Sequence, residues 1–315
     1  MIDCNIRDSE ISLLYSPAKA YWNQREKLIL SKQRILKLYQ IVDSSVDLSL
    51  PQWGQLFAFA LDFSPDIILE LGRGYGNSTC VFTEVANLIK PRSCEVLSLC
   101  KSSAWQRRTF PRLKRAVDKS WFAPLTALHT DILKFNFKQV LSNKSRVFVF
   151  WDAHGYDVAE CVLGTILPEI AHKPHIVVMH DFVDTRYRSV QTGDYRLWRG
   201  GNSGYTRIRI GNIESAVEQA ISIMDFATRN NLALHSADHS VRTELDKNRK
   251  TKLSQLLGND LFSLDCCWVW FSLNEANIKY SFPIPYARKQ EVQPYIILKE
   301  IVESILRYLP KGYSK

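Results

Sequence analysis

Short apolar runs alternate with segments of helical periodicity along most of the chain, and this alternation constrains the fold more than any other feature. The predicted strands are 66–71, 94–100, 125–131, 146–152, 175–181, 232–238 and 265–273. Apolar residues between them recur at helical spacing, at 78–89, 103–119, 157–170 and 213–230, and a last helix is expected at 295–309. Apolar strands that alternate with helices predict a mostly parallel sheet covered on both faces. We therefore expect an α/β fold with a Rossmann-like, seven-stranded sheet.

A helical extension is predicted before this alternating region. Residues 21–42 carry apolar side chains at helical spacing, and 51–63 begins with a proline that suits a first helical turn. We expect an N-terminal helical extension at 1–63 and an α/β domain at 64–315.

One segment of the α/β domain, residues 183–212, shows no regular periodicity. It contains six arginines together with tyrosines and glycines. Irregular segments of this length inside a domain are often lids over a site, so a lid-like loop is expected here.

The charge of the chain leaves open which kind of partner it binds. The net charge is +9, and residues 101–120 hold seven basic residues and one acidic residue. Such a stretch is typical of a solvated helix face, with an anion-binding or RNA-binding patch as the alternative. The apolar runs are too short to span a membrane, and the scattered cysteines form no CxxC pair. A cytoplasmic protein is expected. The sequence leaves the oligomeric state open, and a homo-oligomer is one possibility.

A glycine loop, "ELGRGYGNST" at 70–79, follows the first predicted strand. Glycines at such a place let the backbone approach a ligand closely, and the helix N-terminus behind them favours an anionic group. A dinucleotide fingerprint would require glycine at position 77, where Asn77 stands. The alternative without a ligand is a tight turn from strand to helix.

The pattern Glu70-x-Gly72-x-Gly74-x-Gly76 resembles the first motif of the class I S-adenosylmethionine (SAM) methyltransferases. The resemblance implies SAM as cofactor, over roughly residues 64–275. The residues it assigns to cofactor binding are Glu70, Gly72, Gly74, Gly76, Asn77, Ser78 and, at the adenine, Asp131. The family usually has an acid after the second strand, for the ribose, and this chain has none near Cys100.

Two further strands each end in an acid beside an imidazole. "VFVFWDAHGYD" at 147–157 contains Asp152 and His154, and "HIVVMHDFVD" at 175–184 contains His180 and Asp181. The carboxyl ends of neighbouring parallel strands share one edge of a sheet, so these groups are expected to lie together. The structural alternative is that the acids cap helices and the histidines bond loop carbonyls.

This layout resembles the metal-dependent natural-product O-methyltransferases of the macrocin and cephalosporin-pathway type. The resemblance implies a divalent metal held by Asp152, His180 and Asp181, with His154 in the place of a further acid. Oxygen ligands favour Mg²⁺ or Mn²⁺, and the imidazoles bring in Fe²⁺ or Zn²⁺ as alternatives. An imidazole accepts a proton at neutral pH, so His154 is predicted to be the catalytic base, with direct metal ligation as its competing role.

The sequence thus predicts a SAM-dependent methyltransferase that carries out metal-assisted O-methylation of a small polar acceptor, such as a sugar, polyketide or phenol. An RNA-directed methyltransferase or RNA-binding module is one alternative, suggested by residues 101–120. A non-catalytic ligand-binding protein on the same fold is another, suggested by Cys100 where the ribose acid is missing.

Overall fold

The computed structural model describes residues 14–44, 47–89, 93–180, 207–266, 268–273 and 279–284, with the backbone alone for 207–218. The predicted lid-like loop, apart from the backbone from residue 207 onward, and the helix expected at 295–309 lie outside the described residues. None of the helices in the described ranges is long and apolar enough to cross a membrane.

The chain begins with helices that pack beside the sheet. Helix α1 is Pro17–Val42 and helix α2 is Leu50–Phe63. Ser16 caps α1 by accepting a hydrogen bond from the Lys19 N–H at 3.3 Å. The ring of Phe59 on α2 lies 5.9 Å from that of Phe148 in the sheet, so the N-terminal helices share a core with the strands.

Seven strands form one sheet in the order β3-β2-β1-β4-β5-β7-β6. The strands are β1 Ile67–Leu71, β2 Glu95–Cys100, β3 Leu125–His129, β4 Val147–Trp151, β5 His175–Met179, β6 His235–Ser236 and β7 Val269–Phe271. Strands β1 to β5 are parallel to one another, whereas β7 is antiparallel to both β5 and β6. The predicted Rossmann-like, mostly parallel seven-stranded sheet is confirmed.

Helices connect the strands. They are α3 Asn77–Leu88, α4 Phe110–Ala116, α5 Phe137–Leu141, α6 Tyr156–Cys161, α7 Leu167–Ile170, α8 Arg207–Asn230, α9 Ala237–Glu244 and α10 Lys247–Leu261. Wide π-helical turns precede α4, at Trp105–Thr109, and join α6 to α7, at Val162–Ile166.

The apolar core lies on both faces of the sheet, as continuous apolar strands require. On one face Phe148 packs among residues of α2 and α3, including Phe82 at 5.8 Å between ring centres. On the other face Trp151 and Met179 pack with Ile166 and with Ile223 of α8. Strands β1, β4 and β5 are buried along their whole length, so only their ends carry polar side chains to a surface.

Candidate active site

The carboxyl ends of β1 and β4 define the position of the site. These two strands are neighbours, and the strand order reverses between them, which makes this edge the switch point where α/β sheets bind ligands. Gly72 directly follows β1 with φ +93°, and a Cβ atom there would lie 2.3 Å from the carbonyl oxygen of Asp152. Glycine at 72 therefore permits the two strand ends to meet.

The remaining loop glycines differ in what surrounds them. A Cβ atom on Gly76 would lie 2.2 Å from Cε3 of Trp105, so glycine here makes room for the indole ring. Gly74 has φ +52°, and of the described atoms only Oδ2 of Asp47, at 3.5 Å, would be near its Cβ. Of the three loop glycines, Gly74 is thus the one at which a Cβ atom would meet no described atom closer than 3.5 Å.

Glu70 is completely buried and braces the start of α3 against β1. Its two carboxylate oxygens accept hydrogen bonds from the hydroxyls of Ser78, at 2.5 Å, and Thr79, at 2.7 Å. Burial raises the pKa of the Glu70 carboxyl, and the hydroxyl bonds together with the charge of Arg73 oppose that rise. The hydrogen bond between Glu70 and Ser78 therefore fixes the position of α3 relative to β1 at the two ends of the glycine loop.

Arg73 is a buried cation that the sequence analysis did not single out. Its guanidinium donates to the backbone carbonyl and the hydroxyl of Ser98, at 2.8 and 2.9 Å, and to the carbonyl of Leu128 at 3.1 Å. Burial lowers the pKa of Arg73, while the neighbouring Glu70 opposes this. The side chain ties the glycine loop to β2 and β3.

Asn77, predicted to contact a cofactor, is buried and bonded within the protein. Its side-chain oxygen accepts from the indole N–H of Trp53 at 3.1 Å. Its amide nitrogen donates to the Ser44 carbonyl at 3.1 Å and to the Asp47 carboxylate at 2.9 Å. The residue fastens the start of α3 to the segment between α1 and α2.

After β2, where the methyltransferases that this sequence resembles usually have an acid, this chain has Lys101. Lys101 Nζ lies 3.0 Å from Oδ2 of Asp131, and Asp131 Oδ1 accepts from the Leu133 N–H at 3.0 Å. Asp131, predicted near the adenine, is thus both the cap of a short 3₁₀ turn and the anion beside Lys101.

Asp152 and His180 form a hydrogen-bonded pair across the ends of β4 and β5. His180 Nδ1 lies 2.8 Å from Asp152 Oδ1, and both side chains are mostly buried. The imidazole also packs against the ring of Trp268 at 5.0 Å. Because a carboxylate only accepts, Nδ1 of His180 carries the proton in this contact.

His154 lies at the same edge and has a separate partner. Its Nδ1 is 2.9 Å from Oε1 of Gln219 on α8, and Gln219 Nε2 is 3.4 Å from the backbone oxygen of His180. Gln219 was missed by the sequence analysis because 65 positions separate it from His154. No local pattern signals such a partner.

The predicted metal ligands are brought together only in part. Asp152 and His180 are adjacent, whereas Asp181 lies outside the described residues. Within the described ranges, no cluster of three or more His, Cys, Asp and Glu residues could hold a metal ion. His180 Nδ1 and Asp152 Oδ1 are hydrogen-bonded to each other, so these two atoms are poorly suited to bind a metal ion.

The basic segment 101–120 is partly occupied by contacts inside the protein. Arg108 and Arg112 lie 3.0 and 3.3 Å from the carboxylate of Asp43, at the end of α1. Part of its positive charge thus fastens this segment to the N-terminal helices.

No protein-family model matches the sequence, and no curated protein sequence matches it significantly. Solved structures with weak similarity include a methyltransferase of Podospora anserina, PaMTH1, bound to SAH, with 15% identity and a TM-score of 0.41 over 58% of this chain and 71% of that one.

The O-methyltransferase TomG of Streptomyces achromogenes, involved in tomaymycin synthesis and in complex with SAM, has 15% identity and a TM-score of 0.39 over 64% of this chain and 80% of that one. A putative caffeoyl-CoA O-methyltransferase of Staphylococcus aureus has 11% identity and a TM-score of 0.45 over 68% of this chain and 93% of that one. At these values the likeness by itself decides neither activity nor substrate.

Proposed function

We propose that the protein is a SAM-dependent O-methyltransferase that acts on a small polar acceptor. The observation that carries the proposal is the placement of two kinds of group at one sheet edge. A glycine loop, with room for a Cβ atom at Gly74, follows β1. His154 and His180, each hydrogen-bonded to a different side chain, follow β4 and β5. Such an edge offers a ligand cradle and proton-accepting groups side by side.

The cradle fits the amino-acid end of SAM. The N–H groups of Gly72 and Gly76 donate to the carbonyls of Leu99 and Arg73 and so fix the loop. The backbone N–H groups between these glycines and the first N–H groups of α3 would hold an anionic carboxylate, because the first turn of a helix has unpaired donors. Glu70 would act indirectly: it accepts hydrogen bonds from Ser78 and Thr79 and so fixes the position of the first turn of α3. Bound SAM would supply an electrophilic methyl group on a positively charged sulfur. Asp131 stays the proposed neighbour of the adenine.

His154 is the proposed general base for the acceptor hydroxyl. A hydroxyl that loses its proton becomes a stronger nucleophile, and an imidazole with an ordinary pKa near 6.5 accepts a proton at neutral pH. His180 is a second imidazole at this edge, oriented by Asp152. The two rings differ in that one is paired with a neutral amide and the other with a carboxylate.

We also propose, from the sequence resemblance alone, that Asp152, His180 and Asp181 hold a divalent metal. The described groups by themselves do not supply a ligand set, and Asp181 lies outside them. No step of the proposed reaction is therefore routed through an ion. In this proposal Asp152 acts first as the orienting partner of His180, an arrangement that also suits a histidine whose other nitrogen meets a metal.

Transfer of a labelled methyl group from SAM is the experiment that tests the proposal. The purified chain is incubated with methyl-labelled SAM and, separately, with phenols, sugars, polyketides and RNA, with and without added Mn²⁺ or Mg²⁺. We expect acceptor-dependent label in a small hydroxylated compound, lost in His154→Ala. Label in RNA alone would favour the RNA-directed alternative, and SAM binding without transfer to any acceptor would favour the non-catalytic one.

A further inference from the structure

Gln219 bridges the two histidines of the candidate active site. It lies on α8 and is 1% exposed, and α8 packs against α6, which follows His154. One end of its side-chain amide meets Nδ1 of His154 at 2.9 Å, and the other meets the backbone oxygen of His180 at 3.4 Å. A buried amide with both ends directed at site residues is a polar element that packing alone does not require.

The chemistry of its neighbours fixes which way the amide faces. The carbonyl oxygen of His180 only accepts hydrogen bonds, so the group that faces it is the NH₂ of Gln219. The opposite orientation would set two oxygens against each other in a buried place. The oxygen of Gln219 therefore faces His154, and this conclusion follows from donor and acceptor chemistry rather than from the positions of the two nearly identical amide atoms.

The orientation of the amide then fixes the tautomer of His154. An amide oxygen has no hydrogen to donate, so Nδ1 of His154 has to carry one. In the neutral ring the other nitrogen, Nε2, is then without hydrogen and is the atom that accepts a proton. With the opposite tautomer, Nδ1 and the amide oxygen would be two acceptors in contact.

We infer that Gln219 is a positioning residue that holds His154 in the Nδ1–H tautomer and so makes Nε2 the proton-accepting atom. The tautomer is a property of the protein alone, whereas its catalytic consequence rests on the proposed function. Gln219 touches neither substrate nor cofactor in this account and acts only through the imidazole.

Nitrogen-15 NMR of the ligand-free protein tests the tautomer directly. Long-range proton–nitrogen spectra are recorded at a pH about two units above 6.5, where an ordinary imidazole is neutral. The His154 signals are assigned by their loss in His154→Gln. We expect a protonated Nδ1 and an unprotonated Nε2 in the wild type. In Gln219→Met, which keeps the volume but removes the acceptor, a substantial Nε2–H population should appear.

Turnover measurements separate positioning from folding. Gln219→Met should lower kcat about 10- to 100-fold with little change in the KM for SAM, the size expected for a residue that orients a functional histidine. Gln55→Met is a matched control, because Gln55 is equally buried and its amide has no hydrogen-bond partner in the described structure.

The outcomes are distinguishable from a failure of the proposed function. An Nε2–H tautomer in the wild type, or a spectrum that Gln219→Met leaves unchanged, would overturn the inference whatever the activity. An Nδ1–H tautomer that Gln219→Met disturbs supports it even if no methyl transfer is found, and in that case only the proposed function fails. A melting temperature close to the wild-type value in Gln219→Met shows that the variant is folded.

Discussion

The imidazole of His180 lies 2.8 Å from the carboxylate of Asp152, which joins the end of β5 to the end of β4. These two residues are 28 positions apart in the chain and belong to strands in direct register, with Trp151 opposite Met179. Two sequence patterns, each an acid beside a histidine, thus combine into one mixed pair. This pair and the glycine loop are the basis for treating the sheet edge as a reaction site.

Asp152→Asn should lower turnover about 10- to 100-fold while the fold is kept. The amide can still accept from Nδ1 of His180, but a neutral acceptor stabilises the charged imidazole less than a carboxylate does. The measurement is kcat at saturating SAM, with the melting temperature as a check on folding. Equal turnover in the variant would mean that the charge of Asp152 has no part in the chemistry.

His154→Ala should reduce turnover about 10²- to 10⁴-fold, because a general base contributes that much to a proton-transfer step. Binding of S-adenosylhomocysteine should be unchanged, since the glycine loop follows a different strand. Turnover and calorimetric binding are both measured. Turnover equal to that of the wild type would remove His154 from the chemistry, and loss of metal binding would make it a ligand.

Calorimetric titration with Mn²⁺ tests the metal that the sequence predicts. We expect the wild type to bind one ion, and Asp181→Asn to bind it at least about 10-fold more weakly, because hard cations need charged oxygen ligands. Asp131→Asn is the control, since it removes a carboxylate that lies after the end of β3 and already pairs with Lys101. No binding to the wild type, or equal binding to Asp181→Asn, would exclude this set of ligands.

His175 should make the protein less stable in mild acid. It is fully buried, donates to the Lys173 carbonyl through Nδ1 and accepts from the Leu273 N–H through Nε2. Burial lowers the pKa of His175 to about 4, against about 6.5 for an unfolded histidine. Between these values only the unfolded chain binds the proton. The contribution of His175 to the free energy of unfolding is therefore fully present above about pH 6.5 and falls by roughly 3 kcal/mol as the pH approaches 4.

Urea denaturation at a series of pH values measures this effect. His175→Gln should be less stable than the wild type at neutral pH but lose less stability between pH 6.5 and 4. His239→Gln, at an exposed histidine, should keep the wild-type pH dependence. A wild-type pH dependence in His175→Gln would show that this histidine titrates normally in the folded protein.

The central strands could be predicted from the sequence because they are buried on both faces. The predicted bounds 66–71 and 146–152 compare with observed strands at Ile67–Leu71 and Val147–Trp151. The edge was harder: the strand predicted at 232–238 is only His235–Ser236. There Ser236 accepts from the His239 N–H and starts a helix instead.

Helix α10 was not predicted, although its signals are present. Asp246 caps it by accepting from the Arg249 N–H, and Leu253, Leu257 and Leu261 follow at intervals of four and are buried. Apart from the exposed Leu256 and from Gly258, the rest of the segment is polar, so the apolar stripe is narrow and the periodicity is weak. Its place was set by packing against α1 and α2.

The site was predictable where it depends on strand ends and not where it depends on distant partners. The edge location of Asp152, His154 and His180 follows from the parallel sheet. Arg73 and Gln219 do not, because each finds its partners through tertiary packing, across 25 or more positions. The side-chain partners of Asn77 could likewise not be predicted, because its amide is bonded to Trp53 and to the segment before α2.

Calorimetry with S-adenosylhomocysteine tests the central claim most directly. We predict that the wild type binds one molecule and that Gly74→Val abolishes binding, because the valine side chain would enter the part of the loop where the cofactor is proposed to bind. Valine is also strained at φ +52°, so Gly258→Val, at φ +68° on α10, is the control for strain and should still bind. Absence of binding to the wild type would contradict the account, as would Gly74→Val binding as tightly as the wild type.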